Sequence, residues 1–231
     1  MLYLPYIFFG LAPSIIWLLF YLRKDVHPEP KRKVLKVFFF GALSTIPAFF
    51  LERGSWLFFQ KLQIPGAKIF YTFLGIAFIE ELLKYLVVKT VILSDPEFDE
   101  PVDSMLYMIT SALGFAALEN IFLLFSLKSS LILEAFIISS FRFLGATFLH
   151  ALCSGLIGFF LAFSFFKLKK RGELIVIGLG ISTCLHGLYN LSIIEIEGSE
   201  RFIIPIMVLV GLALFVSWGF KKLKEHEVHV S

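Results

Sequence analysis

The sequence predicts an all-α protein, a polytopic transmembrane helix bundle of about seven spans, formed by one integral-membrane domain over residues 1–231. Three observations predict it. Apolar residues make up 58% of the chain, against about 45–50% in an ordinary soluble domain. Charged residues reach only 17%, and mean hydropathy is +0.86. The apolar stretches are long and unbroken rather than short and alternating, which selects helices over a β-barrel. A soluble globule of this composition would expose large apolar patches, and a disordered chain needs the opposite balance. The basic residues sit in short clusters between apolar runs, so no nucleic-acid-binding face is built. Cys153 and Cys184 both fall inside apolar runs. They read as small packing residues, not as a disulfide framework or a zinc ribbon.

Seven stretches match an apolar layer of about 30 Å: 3–22, 34–52, 69–93, 104–126, 141–166, 174–196 and 202–220. The first has no basic segment before it; its basic cluster follows. It therefore reads as an uncleaved first helix with the N-terminus outside. Residues 131–140 precede the fifth without a clear break, as a short surface helix or an extension of a long tilted one. Orientation follows from the Lys and Arg residues. With the C-terminus cytoplasmic, the inner loops hold Arg23, Lys24, Lys31, Arg32, Lys33, Lys36, Lys167, Lys169, Lys170, Arg171, Lys221, Lys222 and Lys224. The outer loops hold only Arg53, Lys61, Lys68, Lys128 and Arg201, so the positive-inside rule is met. The inner loop 94–103 is acidic, but acids count little in that rule. The tail with His226 and His229 reads as a solvated cytoplasmic end.

Ionisable groups inside the spans carry the functional information. The third span places Glu80, Glu81 and Lys84 near mid-membrane. Charged and unpaired, these three would cost on the order of 8–10 kcal/mol. Glu80 and Lys84 are i, i+4 and can pair on one face. That pairing leaves Glu81, pointing about 100° away around the helix, without a structural reason. The fourth span contributes Glu119 and Asn120, and the fifth Arg142 and His150. The sixth contributes His186 and Asn190, i, i+4 on one face. Taken singly, such His and Asn residues are ordinary helix-pairing groups. Taken by depth, Glu80, Glu119, His150, His186 and Asn190 fall in one layer between the midplane and the outer surface. Carboxylate, imidazole and amide at one depth suit water activation and oxyanion stabilisation. Glu and His are equally metal ligands, and zinc is an alternative route to the same reaction. A proton relay for a transporter or channel uses the same residue types. A non-catalytic scaffold is the third reading. Residue types and spacing leave these open.

Four segments together resemble one family. EELLK at 80–84, FAALEN at 115–120, FLHALCSG at 148–155 and HGLYN at 186–190 resemble the PrsW family of bacterial membrane proteases, itself similar to the type II CAAX prenyl proteases. DVHPEP at 25–30 and FDEPVDSMLY at 98–107 are similar to PrsW as well. The likeness runs in order through nearly the whole chain. It implies an intramembrane endopeptidase in the inner (plasma) membrane of a prokaryote. The implied partner is a single-pass membrane protein such as an anti-sigma factor, cut at a membrane-proximal, extracytoplasmic bond. It also implies roles. Glu80 is the base that activates water, and Glu81 orients it or shares its proton. His186 and Asn190 match HxxxN and stabilise the oxyanion. Glu119 takes the FxxxE position, where the prenyl proteases carry His, and His150 fills that gap. Lys84, Asn120 and Arg142 support the site. The expectation is a metal-free, glutamate-activated water with no cofactor; were zinc bound instead, Glu119, His150 and His186 are the expected ligands.

Overall fold

The computed structural model describes residues 4–25, 27–96, 98–126, 132–166 and 168–228, the backbone alone for 166 and 226–228. Lys128, Lys167, and the side chains of His226 and His229 lie outside the described residues, as do Leu131 and the acid Glu97 of the inner loop. Among the described residues there is no strand. The helices are α1 (Leu4–Leu22), α2 (Lys31–Leu62), α3 (Ala67–Phe70), a π-helical segment (Tyr71–Ala77), α4 (Phe78–Val91), α5 (Pro101–Ser126), α6 (Ile132–Leu144), α7 (Ala146–Phe166), α8 (Arg171–Glu195) and α9 (Ile203–Val228). Among the described residues, six runs are long and apolar enough to cross a membrane. The third predicted span is a composite of α3, the π segment and α4, which carries Glu80, Glu81 and Lys84.

The predicted spans are recovered with three physical differences. The second helix runs on to Leu62, because Glu52 and Arg53 interrupt the apolar run but not the backbone ladder. The segment before the fifth span is a separate helix, α6, divided from α7 at Gly145. The third span opens with a π segment, a widened turn that occurs mostly at functional sites. The last two leave no trace in hydrophobic periodicity.

Helix α5 is the axis of the bundle. Most of its residues are buried, polar Ser104, Thr110, Ser111 and Asn120 among them. It packs against α1, α2, α4, α7 and α9. Close approach is made by glycine. A Cβ at Gly114 would run into the Phe38 carbonyl of α2, and one at Gly41 into the Ser111 carbonyl of α5. Small residues at membrane helix crossings let backbones touch in this way, where no hydrophobic effect drives association. Large apolar residues such as Phe39, Phe50, Phe141 and Leu214 point outward, as a lipid-facing surface requires.

The loops predicted to share one face do meet at one end. Lys33 pairs with Asp95, and the Lys224 ammonium donates to the Lys24 carbonyl. His27 Nδ1 lies 2.6 Å from Glu100 Oε1, and the Tyr107 hydroxyl donates to Glu29 Oε2 at 2.6 Å. Asp103 accepts the backbone N–H groups of Asp99 and Glu100 at 3.2 and 2.8 Å, capping α5.

Candidate active site

Five helices bring the predicted polar residues to one buried point. Helix α4 presents Glu80, Glu81 and Lys84; α5 presents Glu119; α6, α7 and α8 bring Arg142, His150 and His186. Glu80, Glu81, Lys84, His150 and His186 are all buried. Lys84 is the hub. Its ammonium lies 2.9 Å from Glu81 Oε1, 3.2 Å from Glu80 Oε2 and 2.7 Å from His150 Nδ1. It also lies 4.5 Å from the Phe115 ring centroid, a cation–π contact. A buried ammonium is tolerable only with such partners.

Each imidazole is oriented by a carboxylate on one nitrogen. His150 Nε2 lies 3.0 Å from Glu119 Oε2, and His186 Nδ1 lies 2.9 Å from Glu81 Oε1. A carboxylate accepts, so in the neutral rings these two nitrogens carry the proton. The lone pairs then sit on His150 Nδ1 and His186 Nε2. Both face Glu80 Oε2, at 3.6 and 3.9 Å. The rings meet edge to face with centroids 5.1 Å apart.

A further layer holds the two carboxylates. Arg142 Nη2 lies 2.8 Å from Glu119 Oε2, and Arg142 Nε donates to the Asn120 side-chain oxygen. The Asn120 amide donates in turn to Thr147 Oγ1 at 3.0 Å and the Gly10 carbonyl at 3.3 Å. Ser154 donates to Glu81 Oε2 at 3.2 Å, and Ser111 donates to the Lys84 carbonyl at 3.0 Å. Three carboxylates face two permanent cations, Lys84 and Arg142. Counted as ions, the cluster carries one net negative charge, which one proton would balance and a divalent ion would turn to one net positive.

Glu80, His150 and His186 offer ligand atoms all within 4.8 Å of one another. This trio differs in one member from the set expected from sequence. Glu119 is not in it; it sits on the far nitrogen of His150. Bonds of about 2.0–2.1 Å to a tetrahedral ion imply donor separations of about 3.3–3.4 Å, and the observed 3.6 and 3.9 Å need little contraction. Metal-bound imidazoles characteristically pass their other N–H to a carboxylate, as Glu119 and Glu81 are placed to accept it. The donor set would fit a divalent transition metal once the Lys84 ammonium, 2.7 Å from His150 Nδ1, left that nitrogen and kept its two glutamates.

Asn190 lies one turn beyond His186 on α8, half-buried. Among the described residues no hydrogen bond joins its side chain to the cluster. Cys153 is buried in packing and Cys184 is exposed. Two site residues escaped the sequence reading. Ser154 is a small residue inside an apolar run and carries no signal of its own. Glu52 falls at the end of the predicted second span, yet it lines a cleft beside the π segment that leads into Glu80. The resumption of apolar residues at Trp56–Phe59 was the signal that Glu52 stands inside a helix.

Fold and site together define a polytopic helical membrane protein built around a buried carboxylate–imidazole centre. The model of the PrsW family intramembrane metalloprotease matches residues 29–218, and the chain belongs to that family. It is 31% identical to Protease PrsW of Bacillus subtilis (strain 168) over 219 residues, 94% of this chain and 93% of that protein. It is 33% identical to Protease PrsW of Geobacillus kaustophilus (strain HTA426) over 184 residues, 78% of this chain and 76% of the relative. No solved structure matches the chain. The protein is thus a multi-pass, membrane-embedded peptidase.

Proposed function

We propose that the chain hydrolyses a membrane-proximal peptide bond of a single-pass membrane protein, an anti-sigma factor or a protein like it. It would do so from the plasma membrane of a prokaryote, with its N-terminus outside. The observation that carries this reading is the convergence of Glu80 Oε2 with His150 Nδ1 and His186 Nε2, each ring held on its other nitrogen by its own carboxylate.

Hydrolysis of an amide needs a water stripped of a proton, donors for the developing oxyanion, and an acid for the leaving amine. Glu80, His150 and His186 would hold a divalent metal such as zinc, which would supply Lewis-acid polarisation of the carbonyl and acidify the attacking water. Around it, Glu81 and Glu119 keep both imidazoles in the tautomer that presents a lone pair to the centre. Lys84 offsets the glutamate charge and keeps Glu80 aimed. Asn190, one turn from His186, would donate its amide to the oxyanion. The helices exclude bulk water, which strengthens each of these interactions.

One observation favours a metal-free version. Lys84 Nζ, 2.7 Å from His150 Nδ1, already places a cation beside the trio. In that version Glu80 takes the proton from water directly, and His186 with Asn190 faces the oxyanion.

The position of the cut tests the reading of substrate and orientation. Tagged single-pass membrane proteins from the same cell, co-reconstituted with the purified protein, are expected to yield a fragment cut at the outer edge of the membrane. Cleavage confined to cytoplasmic tails would contradict it.

A further inference from the structure

A cleft of about 380 Å³ opens between α2 and the π-helical segment, lined by Phe49, Glu52, Arg53, Trp56 and Tyr71. Its walls are held together. Ser55 donates to the Glu52 carbonyl at 2.9 Å and to the Gly75 carbonyl of the π segment at 3.1 Å. Trp56 and Tyr71 meet edge to face with centroids 5.0 Å apart. A Cβ at Gly75 would strike Tyr71 and Ser55, so this approach requires glycine. Phe49 and Arg53 stand at the exposed rim, while Glu52 and the two rings are half-buried.

Among the described residues, the Glu52 carboxylate has no hydrogen-bond or ion-pair partner, and Arg53 beside it pairs with no acid. An unpaired carboxylate within a membrane helix is costly and marks a functional position. Ser55, one turn from Glu52 on α2, is bonded to the Gly75 carbonyl in the π segment that runs directly into Glu80, so the cleft lies beside the segment leading into the centre described above. An acid set among aromatic rings recognises a cation: the rings cover the aliphatic stem and attract the charge, and the carboxylate takes the head.

We infer that this cleft is a substrate subsite for a lysine or arginine side chain next to the scissile bond, with Glu52 as its recognising carboxylate. The inference rests on the peptidase reading and deepens it, because it assigns the substrate a basic juxtamembrane residue. A cationic lipid headgroup shares the chemistry, but adjacency to the catalytic carboxylates favours the substrate.

The test reads binding, so it stands apart from whether any substrate is cut. Full-length protein silenced by Glu80→Gln is placed in phosphatidylglycerol nanodiscs. Fluorescently labelled single-pass peptides, carrying Lys, norleucine or Glu in turn at successive outer juxtamembrane positions, are titrated by anisotropy. At one position the Lys peptide is expected to bind about tenfold more tightly than the norleucine peptide. Adding Glu52→Gln is expected to abolish that margin, and Glu52→Lys to shift the preference to the Glu peptide. Equal affinities at every position, or a margin that survives Glu52→Gln, would overturn the inference. So would a Lys margin that vanishes when phosphatidylethanolamine replaces phosphatidylglycerol, which would assign the cleft to a lipid headgroup.

Discussion

His186 Nδ1 lies 2.9 Å from Glu81 Oε1, so the second glutamate of the pair is bonded to a histidine and to Lys84, while the first faces both imidazoles. Adjacent and chemically identical, the two carboxylates have separate tasks. Glu80→Gln is expected to reduce cleavage to background. Glu81→Gln still accepts a hydrogen bond from His186, so its loss should be about 10–100-fold, as for other groups that orient a ligand from behind. Turnover of the two purified variants in parallel checks this; equal losses would merge the two roles.

Lys84 ties three residues of the site together while fully buried. Removing it strands Glu80 and Glu81 as uncompensated acids. Lys84→Ala is expected to destabilise the folded protein by about 3–5 kcal/mol, seen as a lowered unfolding midpoint in detergent. Pairing it with Glu81→Gln, which removes one stranded charge, should recover part of that loss.

The α2–α5 crossing depends on Gly114, whose hydrogen faces the Phe38 carbonyl. Gly114→Ala overpacks two backbones that have no flexible atom to move. A loss of about 1–3 kcal/mol is expected, with Gly172→Ala, at an open position, as the neutral control. Thermal unfolding of both variants checks the contrast.

At the loop end, burial pushes the Glu29 carboxyl above the ordinary carboxylate range, opposed by its hydrogen bonds with Asp103 and Tyr107. A raised value in the folded state means that folding takes up a proton. Its stabilising contribution is therefore complete below the ordinary value of about 4.3 and is lost as pH rises through the raised one. Unfolding midpoints measured across that window should fall more steeply for the wild type than for Glu29→Gln. Parallel curves would remove Glu29 from the account.

What could be read without the structure was whatever breaks a background. Against uninterrupted apolar runs, Glu80, Glu119, His150 and His186 stand out, and their shared depth correctly implied that they meet. Which carboxylate serves which imidazole could not be read, because rotation of each helix decides it and the π segment ahead of Glu80 resets that rotation. For that reason the sequence-based metal set named Glu119 where the structure brings in Glu80. Glu52 was hidden for the opposite reason: at the edge of an apolar run, an acid looks like the end of a span. Asn190 lies near the site but without a bond to it, which spacing alone could not reveal.

The central claim is that Glu80, His150 and His186 form a single hydrolytic centre. The most direct measurement is cleavage by wild type, Glu80→Gln, His150→Ala and His186→Ala, each with bound zinc determined on the same preparation and with and without chelator. Wild type alone is expected to give a fragment, with about one zinc per chain, and both are expected to be lost on chelation and in the histidine variants. Cleavage retained by folded Glu80→Gln would contradict it.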